Sequence, residues 1–229
     1  MIRLESLGAT VIPLQLDGTN GLTQDTIDCL QQACDQAEDL NARSVLAIAY
    51  GGPRGGTTGT GPGPSLPLVN RWERAVQRVE RCAAVTVMHV DGHAGELGLG
   101  LLLATDYRTA SPDASFSLHD AVGRCMPGMA LYRLAQQVGI ARARGLVLLG
   151  QIVPALQAER LGLLDALVDD AAQALDAFAR AATHLEWSGV LTRRQLLLES
   201  TATSFEEALG AHLAAYDRKL RDHAFAAER

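Results

Sequence analysis

The sequence predicts an α/β fold, and three observations predict it. The continuous apolar run Val45–Tyr50 (VLAIAY) reads as a strand buried on both faces, and the strand-length run Val85–Val90 (VTVMHV) as the next buried strand. Each run leads into a glycine-rich turn, and apolar residues then return at the three- and four-residue spacing of helices. Strand and helix therefore alternate through the first half, the order of a sheet covered by helices.

Taken in order, Val11–Leu16 is a short apolar strand closed by the turn Asp17-Gly18-Thr19-Asn20-Gly21. From Thr23 onwards Ile27, Leu30, Cys34 and Ala37 lie on one helical face. After Val45–Tyr50, the stretch Gly51–Pro64 holds seven glycines and three prolines, a long loop of the kind that is usually functional. Leu68, Val69, Trp72, Ala75, Val76 and Val79 mark the next helix, with Trp72 in the core. Its Arg71, Arg74, Arg78 and Arg81, together with Glu73 and Glu80, read as a solvated face. Val85–Val90 is closed by Asp91-Gly92, and HAGELGLGLLLATD turns into an apolar helix. Tyr107–Ala110 and Ser115–Leu118 are expected to be short strands. The remainder is mostly helical, with Tyr132 on an apolar face expected in the core and a capping box at Ser204 and Glu207. The division expected is a core over residues 1–170 and a helical region over 171–229.

Composition narrows the function. A chain of 229 residues, 48% apolar, is long enough for one substantial core. No apolar run approaches the roughly 20 residues that span a bilayer. The start, Met1 to Glu5, lacks a charged-then-apolar secretory pattern, so a cytoplasmic protein is expected. A net charge of −6 argues against nucleic acid as partner. Cys29, Cys34, Cys82 and Cys125 form no CxxC pair and read as free thiols. His89 and His93 straddle a strand and a turn, so helical zinc spacing does not apply and no metal is expected. The only lysine is Lys219. That excludes a GxxxxGK[ST] phosphate loop in the body of the chain and disfavours Schiff-base chemistry. GxSxG, the serine nucleophile elbow, is also absent.

What remains is two glycine-rich stretches, Gly51–Gly61 and Gly92–Gly100, each following a buried strand. Glycine lets backbone approach a ligand, and the first turn of a helix presents N–H groups without intrahelical partners. Two such sources that converge make an oxyanion hole. Either stretch alone is more often an ordinary turn, and the order GELGLG does not fit the dinucleotide pattern GxGxxG.

The combination carries more. Asp91-Gly92, Gly98, Asp106-Tyr107-Arg108-Thr109-Ala110, Ala114-Ser115-Phe116, Pro127-Gly128, Arg133-Leu134, Leu149-Gly150, Ala158 and Gly162-Leu163-Leu164 fall in one register with almost no gaps from Val85 to Asp169. That run resembles the central half of the enoyl-CoA hydratase/isomerase (crotonase) superfamily. The resemblance implies a crotonase-like spiral of ββα units with a C-terminal helical trimerisation region, forming a homotrimer or hexamer. It implies an acyl-CoA thioester as substrate, with no separate cofactor, no metal, no nucleic acid and no membrane. In this register Leu97 N–H is one oxyanion donor and Thr58 N–H the candidate for the other, with Gly59, Gly98 and His119 beside the substrate. Arg54, in the first glycine loop, could meet a CoA phosphate.

The acid/base positions are where the chain departs from the pattern. The hydratases use two glutamates. The first position is Gly100 here, and the second is Asp120, the candidate proton-transfer residue. Glu96, four residues before Gly100, would share its helical face and offers a replacement. Against it, a carboxylate at a helix start is favoured in its charged form for purely structural reasons. His93 and His119 read as hydrogen-bonding neighbours of the site.

Within the superfamily LVNRWERAVQRVE, ATDYRTA and PGMALYRLA resemble the small hydratase-like proteins of dihydroxyphenylglycine biosynthesis. This implies help to a polyketide synthase in dehydration or aromatisation to 3,5-dihydroxyphenylacetyl-CoA. The missing glutamate keeps a rival open: a non-catalytic crotonase-fold partner that binds and stimulates another enzyme.

Overall fold

Alternating burial and helix capping set the first half of the chain. In the computed structural model, which describes residues 8–40, 43–54, 63–119, 124–125 and 128–227, the strands β1 (Thr10–Asp17), β2 (Ser44–Gly51) and β3 (Val85–Asp91) pair in parallel. Between them run α1 (Gln24–Asp39) and α2 (Leu66–Glu80). Thr23 starts α1, its side chain accepting the Thr26 N–H at 3.1 Å, and Ile27, Leu30, Ala33, Cys34 and Ala37 form the buried face. The buried face of α2 is Trp72, Ala75, Val76 and Val79.

Beyond β3 the chain steps between two sheets. Gly92, at φ +81°, turns it into β4 (His93–Ala94), and α3 (Glu96–Leu102) returns it to β5 (Tyr107–Ala110), which pairs with β3. The next step is β6 (Ser115–Phe116), followed by α4 (Met129–Val138) and α5 (Ile140–Leu148). Then come β7 (Val153–Pro154), α6 (Ala155–Leu161), β8 (Ala166–Leu167) and α7 (Ala171–Ala181). One sheet has the order β1-β2-β3-β5-β8 and the other β4-β6-β7. Strands that alternate between two sheets, with helices between the steps, build the spiral of ββα units. Ser115–Leu118 contributes a strand only over its first two residues.

A second unit, Leu185–Arg229, contains a 3-10 turn at Trp187–Gly189, α8 (Val190–Glu199) and α9 (Phe205–Ala227). Ser204 and Glu207 form the expected capping box: Ser204 N–H donates to Glu207 Oε2 at 3.0 Å and Glu207 N–H to Ser204 Oγ at 3.3 Å. Lys219 ties α9 to the turn through Glu186 and through Ser188 Oγ at 3.2 Å. The first unit extends through His184, past the boundary expected at residue 170. The reason is α7, which packs against β3 and β2 and sets Phe178 against Tyr107 with ring centroids 5.7 Å apart. Among the described residues no helix is long and apolar enough to cross a membrane.

Two expectations about helix faces are corrected. Tyr132 is 50% exposed rather than in the core, because the buried face of α4 is Ala130, Arg133 and Leu134. Nor is the charged face of α2 simply solvated. Arg78 reaches Asp35 and Glu38 of α1, while Glu73 and Glu80 turn inward to Arg133 of α4, whose side chain is only 7% exposed.

Candidate active site

The two glycine stretches leave the sheet side by side. Gly52 N–H donates to Asp91 O at 2.7 Å and His93 N–H to Pro53 O at 3.1 Å. No side chain fits at that crossing. A Cβ on Gly52 would lie 1.9 Å from His93 O, and one on Gly92 would lie 2.5 Å from Gly52 O. The glycines there permit a close approach of two backbones, where the sequence reading expected room for a ligand. Arg54 donates to Asp91 at 2.7 Å and lies 3.6 Å from Asp113, so two carboxylates already face its charge. Thr58 and Gly59 lie outside the described residues, and so does Asp120.

Helix α3 opens on Gly95, and its first intrahelical bond is Leu99 N–H to Gly95 O at 2.8 Å. Glu96, Leu97 and Gly98 are the residues ahead of that bond, where helix geometry leaves N–H groups to outside partners. Leu97 is half-buried there. Gly98 instead faces the core: a Cβ would lie 2.6 Å from the Tyr50 ring, so its missing side chain admits Tyr50. Burial and the charge of Asp17 push the Tyr50 hydroxyl up to about 12.

The opposite face of α3 meets α4. A Cβ on Gly100 would lie 3.3 Å from Ala130 Cβ, a tight contact, so α4 crowds the place where the family's first glutamate would begin. One turn earlier, Glu96 reaches the start of α4 and accepts the Gly128 N–H. The four-residue spacing thus brings Glu96 and Gly100 to one neighbour. Glu73 of α2 arrives beside it, accepting the Met129 N–H at 3.3 Å and the Arg133 Nη1 donor at 3.0 Å. Gly128 lies against these carboxylates: a Cβ would lie 2.0 Å from Glu96 Oε1 and 3.6 Å from Glu73 Oε1. Burial raises the Glu96 carboxyl to about 7, and Glu73 adds to the rise, against the lowering effect of the Gly128 bond. Burial therefore opposes the preference of a helix start for the charged form of Glu96. Desolvation outweighs the donor it has found. Cys125, half-buried, is raised by burial and by the charge of Glu96.

The histidines have different neighbours. Ser117 Oγ donates to His119 O at 2.9 Å, so its oxygen is left to accept from His93 Nε2 at 3.1 Å. His93 Nδ1 is then the acceptor, 2.9 Å from Ser115 Oγ. Both ring nitrogens are used, and burial lowers the His93 pKa, which makes it a neutral structural link between β4 and β6. His119 pairs with Cys125 through a single antiparallel bridge and packs over Gly150, whose φ is +61°. Its Nδ1 is buried without a hydrogen-bond partner.

Sequence reasoning brought Glu96, Leu97 and Gly100 together but missed Glu73, Glu80 and Arg133. A signal existed: Arg133 shares the apolar face of its helix with Ala130 and Leu134, and a buried guanidinium needs acids. What the sequence could not say is which acids.

Comparison with known proteins agrees with this architecture. The family model described as enoyl-CoA hydratase/isomerase matches residues 8–229. A protein of Amycolatopsis orientalis named enoyl-CoA-hydratase is 41% identical over 212 residues, covering 92% of this chain and 96% of its own. The crystal structure of an enoyl-CoA hydratase from Mycobacterium smegmatis superposes with a TM-score of 0.76 at 20% identity, covering 96% of this chain and 93% of that one. A Thermobifida fusca protein solved in complex with CoA gives 0.74 at 21% identity, covering 94% and 91%. At those identities the two structures speak to the fold.

Proposed function

The chain belongs to the enoyl-CoA hydratase/isomerase (crotonase) family, and from that premise we propose that it is a hydratase/dehydratase-like enzyme that holds an acyl-CoA thioester and moves one proton at its α-carbon. The observation that carries this reading is Glu96, a carboxyl raised to about 7 next to Leu97 in the first turn of α3. A group that is part acid and part base at neutral pH suits proton transfer to or from an enolate. Leu97 N–H is assigned to the enolate oxygen, and Thr58 N–H and Asp120 keep the roles the family resemblance gives them. Losing one such backbone donor costs about 3 kcal/mol of transition-state stabilisation.

The finer proposal is that the substrate is a polyketide thioester, and that the protein assists a polyketide synthase in dehydration or aromatisation to 3,5-dihydroxyphenylacetyl-CoA. Gain of an aromatic ring drives such a step, which supports a site with one well-placed carboxyl where the family pattern has two glutamates. The test is mass spectrometry of the synthase products with wild-type protein, with Glu96→Gln and with no addition. Glu96→Gln should behave like no addition.

One observation favours a second reading. Glycine at position 100, crowded by Ala130, fits a non-catalytic partner that binds and stimulates another enzyme. In that case Glu96→Gln and Asp120→Asn would both stimulate as well as wild type. The proposal includes self-association as a trimer or hexamer, supported by exposed Ile140, Leu148 and Leu149 on and after α5 and by Leu209, Leu213, Tyr216 and Leu220 along α9. Sedimentation velocity reads the outcome.

A further inference from the structure

We infer that Tyr50 is a positioning residue for the first turn of α3: its ring, wedged between Gly18 and Gly98, sets where the Leu97 N–H is presented. The inference rests on the proposed role of that N–H and names the side chain that holds it in place.

The wedge is built by the sheet. Tyr50 is buried near the end of β2, and its partners in register are Leu16 of β1 and Val90 of β3, both buried. Partners in register share a face of a sheet, so these two side chains flank the ring. The tip of the ring then meets two glycines. A Cβ on Gly98 would lie 2.6 Å from Tyr50 Cζ and 2.9 Å from its hydroxyl oxygen. A Cβ on Gly18 would lie 2.0 Å from that oxygen and 2.2 Å from Cζ. Neither glycine has a positive φ, so the ring, not the backbone, excludes a side chain at both places. The Gly18 side is braced. Asp17 accepts the Thr19 N–H at 2.8 Å and Asn20 Nδ2 at 2.7 Å, and Gly18 N–H donates to Gly51 O at 2.8 Å. A fixed turn on one side of the ring passes its position to the helix on the other.

Helix α3 needs such a support. It has seven residues, two of them glycine, so propensity does little to fix where it starts. Leu99, Leu101 and Leu102 anchor its body in the core, and Glu96 ties its outer side to Gly128 of α4. Gly98 has no side chain of its own, and the inner side of the first turn rests on Tyr50. Moving a catalytic group by about 1 Å can cost roughly 100-fold in rate, so a residue that never touches substrate can still govern turnover.

The test binds crotonyl-CoA, labelled with 13C at the thioester carbonyl, to full-length protein and reads the carbonyl stretch by infrared difference spectroscopy. A hydrogen bond to the oxygen lowers that frequency, and wild type should show the lowering. Tyr50→Leu withdraws the ring tip and should lose most of it, while Tyr50→Phe keeps the ring and should retain more. Gly98→Ala drives a methyl into the ring and should also reduce the lowering. Adding Tyr50→Leu to Gly98→Ala makes room for that methyl and should recover part of it. Tyr107→Leu removes an aromatic packed on Phe178 of α7 and should leave the lowering intact. Hydrogen exchange in α3, measured by mass spectrometry without ligand, reads the helix start separately: the Leu99 N–H bonded to Gly95 O should exchange faster in Tyr50→Leu. A carbonyl shift that survives in Tyr50→Leu, or falls equally in Tyr107→Leu, overturns the inference. If wild type shows no lowering but α3 exchange rises in Tyr50→Leu alone, Tyr50 does hold the first turn and the role given to Leu97 N–H fails instead. No lowering together with unchanged exchange overturns both.

Discussion

Two buried polar clusters flank the second glycine stretch, and they treat their titratable group in opposite ways. In the β4–β6 cluster, His93 has a partner on each ring nitrogen, and burial holds it neutral. In the α3–α4 cluster, Glu96 has, among the described residues, one amide donor, a second carboxyl nearby, and a pKa raised to about 7. His93 is buried and Glu96 half-buried, and burial shifts both, so burial alone does not separate structure from chemistry. Satisfaction does. A group whose hydrogen bonds are complete resists any change of protonation, because each change breaks a bond. A group left with a single donor and a neighbour of its own sign is poised between two states.

The sharpest way to break that contrast is to remove the titrating atom from each cluster. Glu96→Gln keeps shape and should lower turnover on the thioester substrate by roughly 100-fold or more, the range for a lost acid/base group, while the fold survives. His93→Ala should leave the pH profile of turnover where it was. Next in size is the anchor of the carboxyl pair. Arg133→Met leaves Glu73 and Glu80 facing each other with no cation, and should cost about 3–5 kcal/mol in urea denaturation. His93→Ala orphans the Ser115 and Ser117 hydroxyls and should cost less, about 1–3 kcal/mol. Should His93→Ala instead remove activity without loss of stability, the assignment of the two clusters would have to be exchanged.

The same contrast shows where sequence reasoning reaches and where it stops. The strand runs Val45–Tyr50 and Val85–Val90 lie within β2 and β3, since strands buried on both faces are largely apolar, and the exceptions in β3, Thr86 and His89, are hydrogen-bonded to Asp106 and Thr109. That Glu96 and Gly100 face one neighbour followed from a four-residue helical spacing, which is local. The identity of that neighbour was not local. Glu73 and Arg133 are sixty residues apart, and nothing in the period of α2 distinguishes a glutamate that turns inward from one that faces water. Tyr132 failed for a related reason. An apolar face wider than the contact beneath it leaves its margin exposed, and here the inward positions went to Ala130, Arg133 and Leu134. The expected end of the core at residue 170 missed α7 because its small Ala174 and Ala177 face, with Phe178, reads like any surface helix until the sheet it covers is known.

The smallest predicted effect is on stability against pH, and its sign differs between the clusters. Burial places the folded pKa of His93, and of His89 despite Asp91 and Asp170, below the ordinary histidine value of 6.5. The unfolded chain then binds more protons in that window, so stability falls as pH drops below about 6.5. Glu96 works the other way. Its folded value of about 7 lies above the ordinary 4.5, so the folded chain binds the extra proton between those limits and stability falls as pH rises through them. Between about pH 5 and 7 the two slopes oppose, and the wild-type urea midpoint should change little. Glu96→Gln removes one of the opposing terms and should leave a midpoint that climbs with pH over that interval. His93→Ala should tilt the balance the other way. Parallel midpoint curves for all three proteins would mean that neither group changes its proton affinity on folding, and the distinction between a satisfied and a poised cluster would have no thermodynamic content.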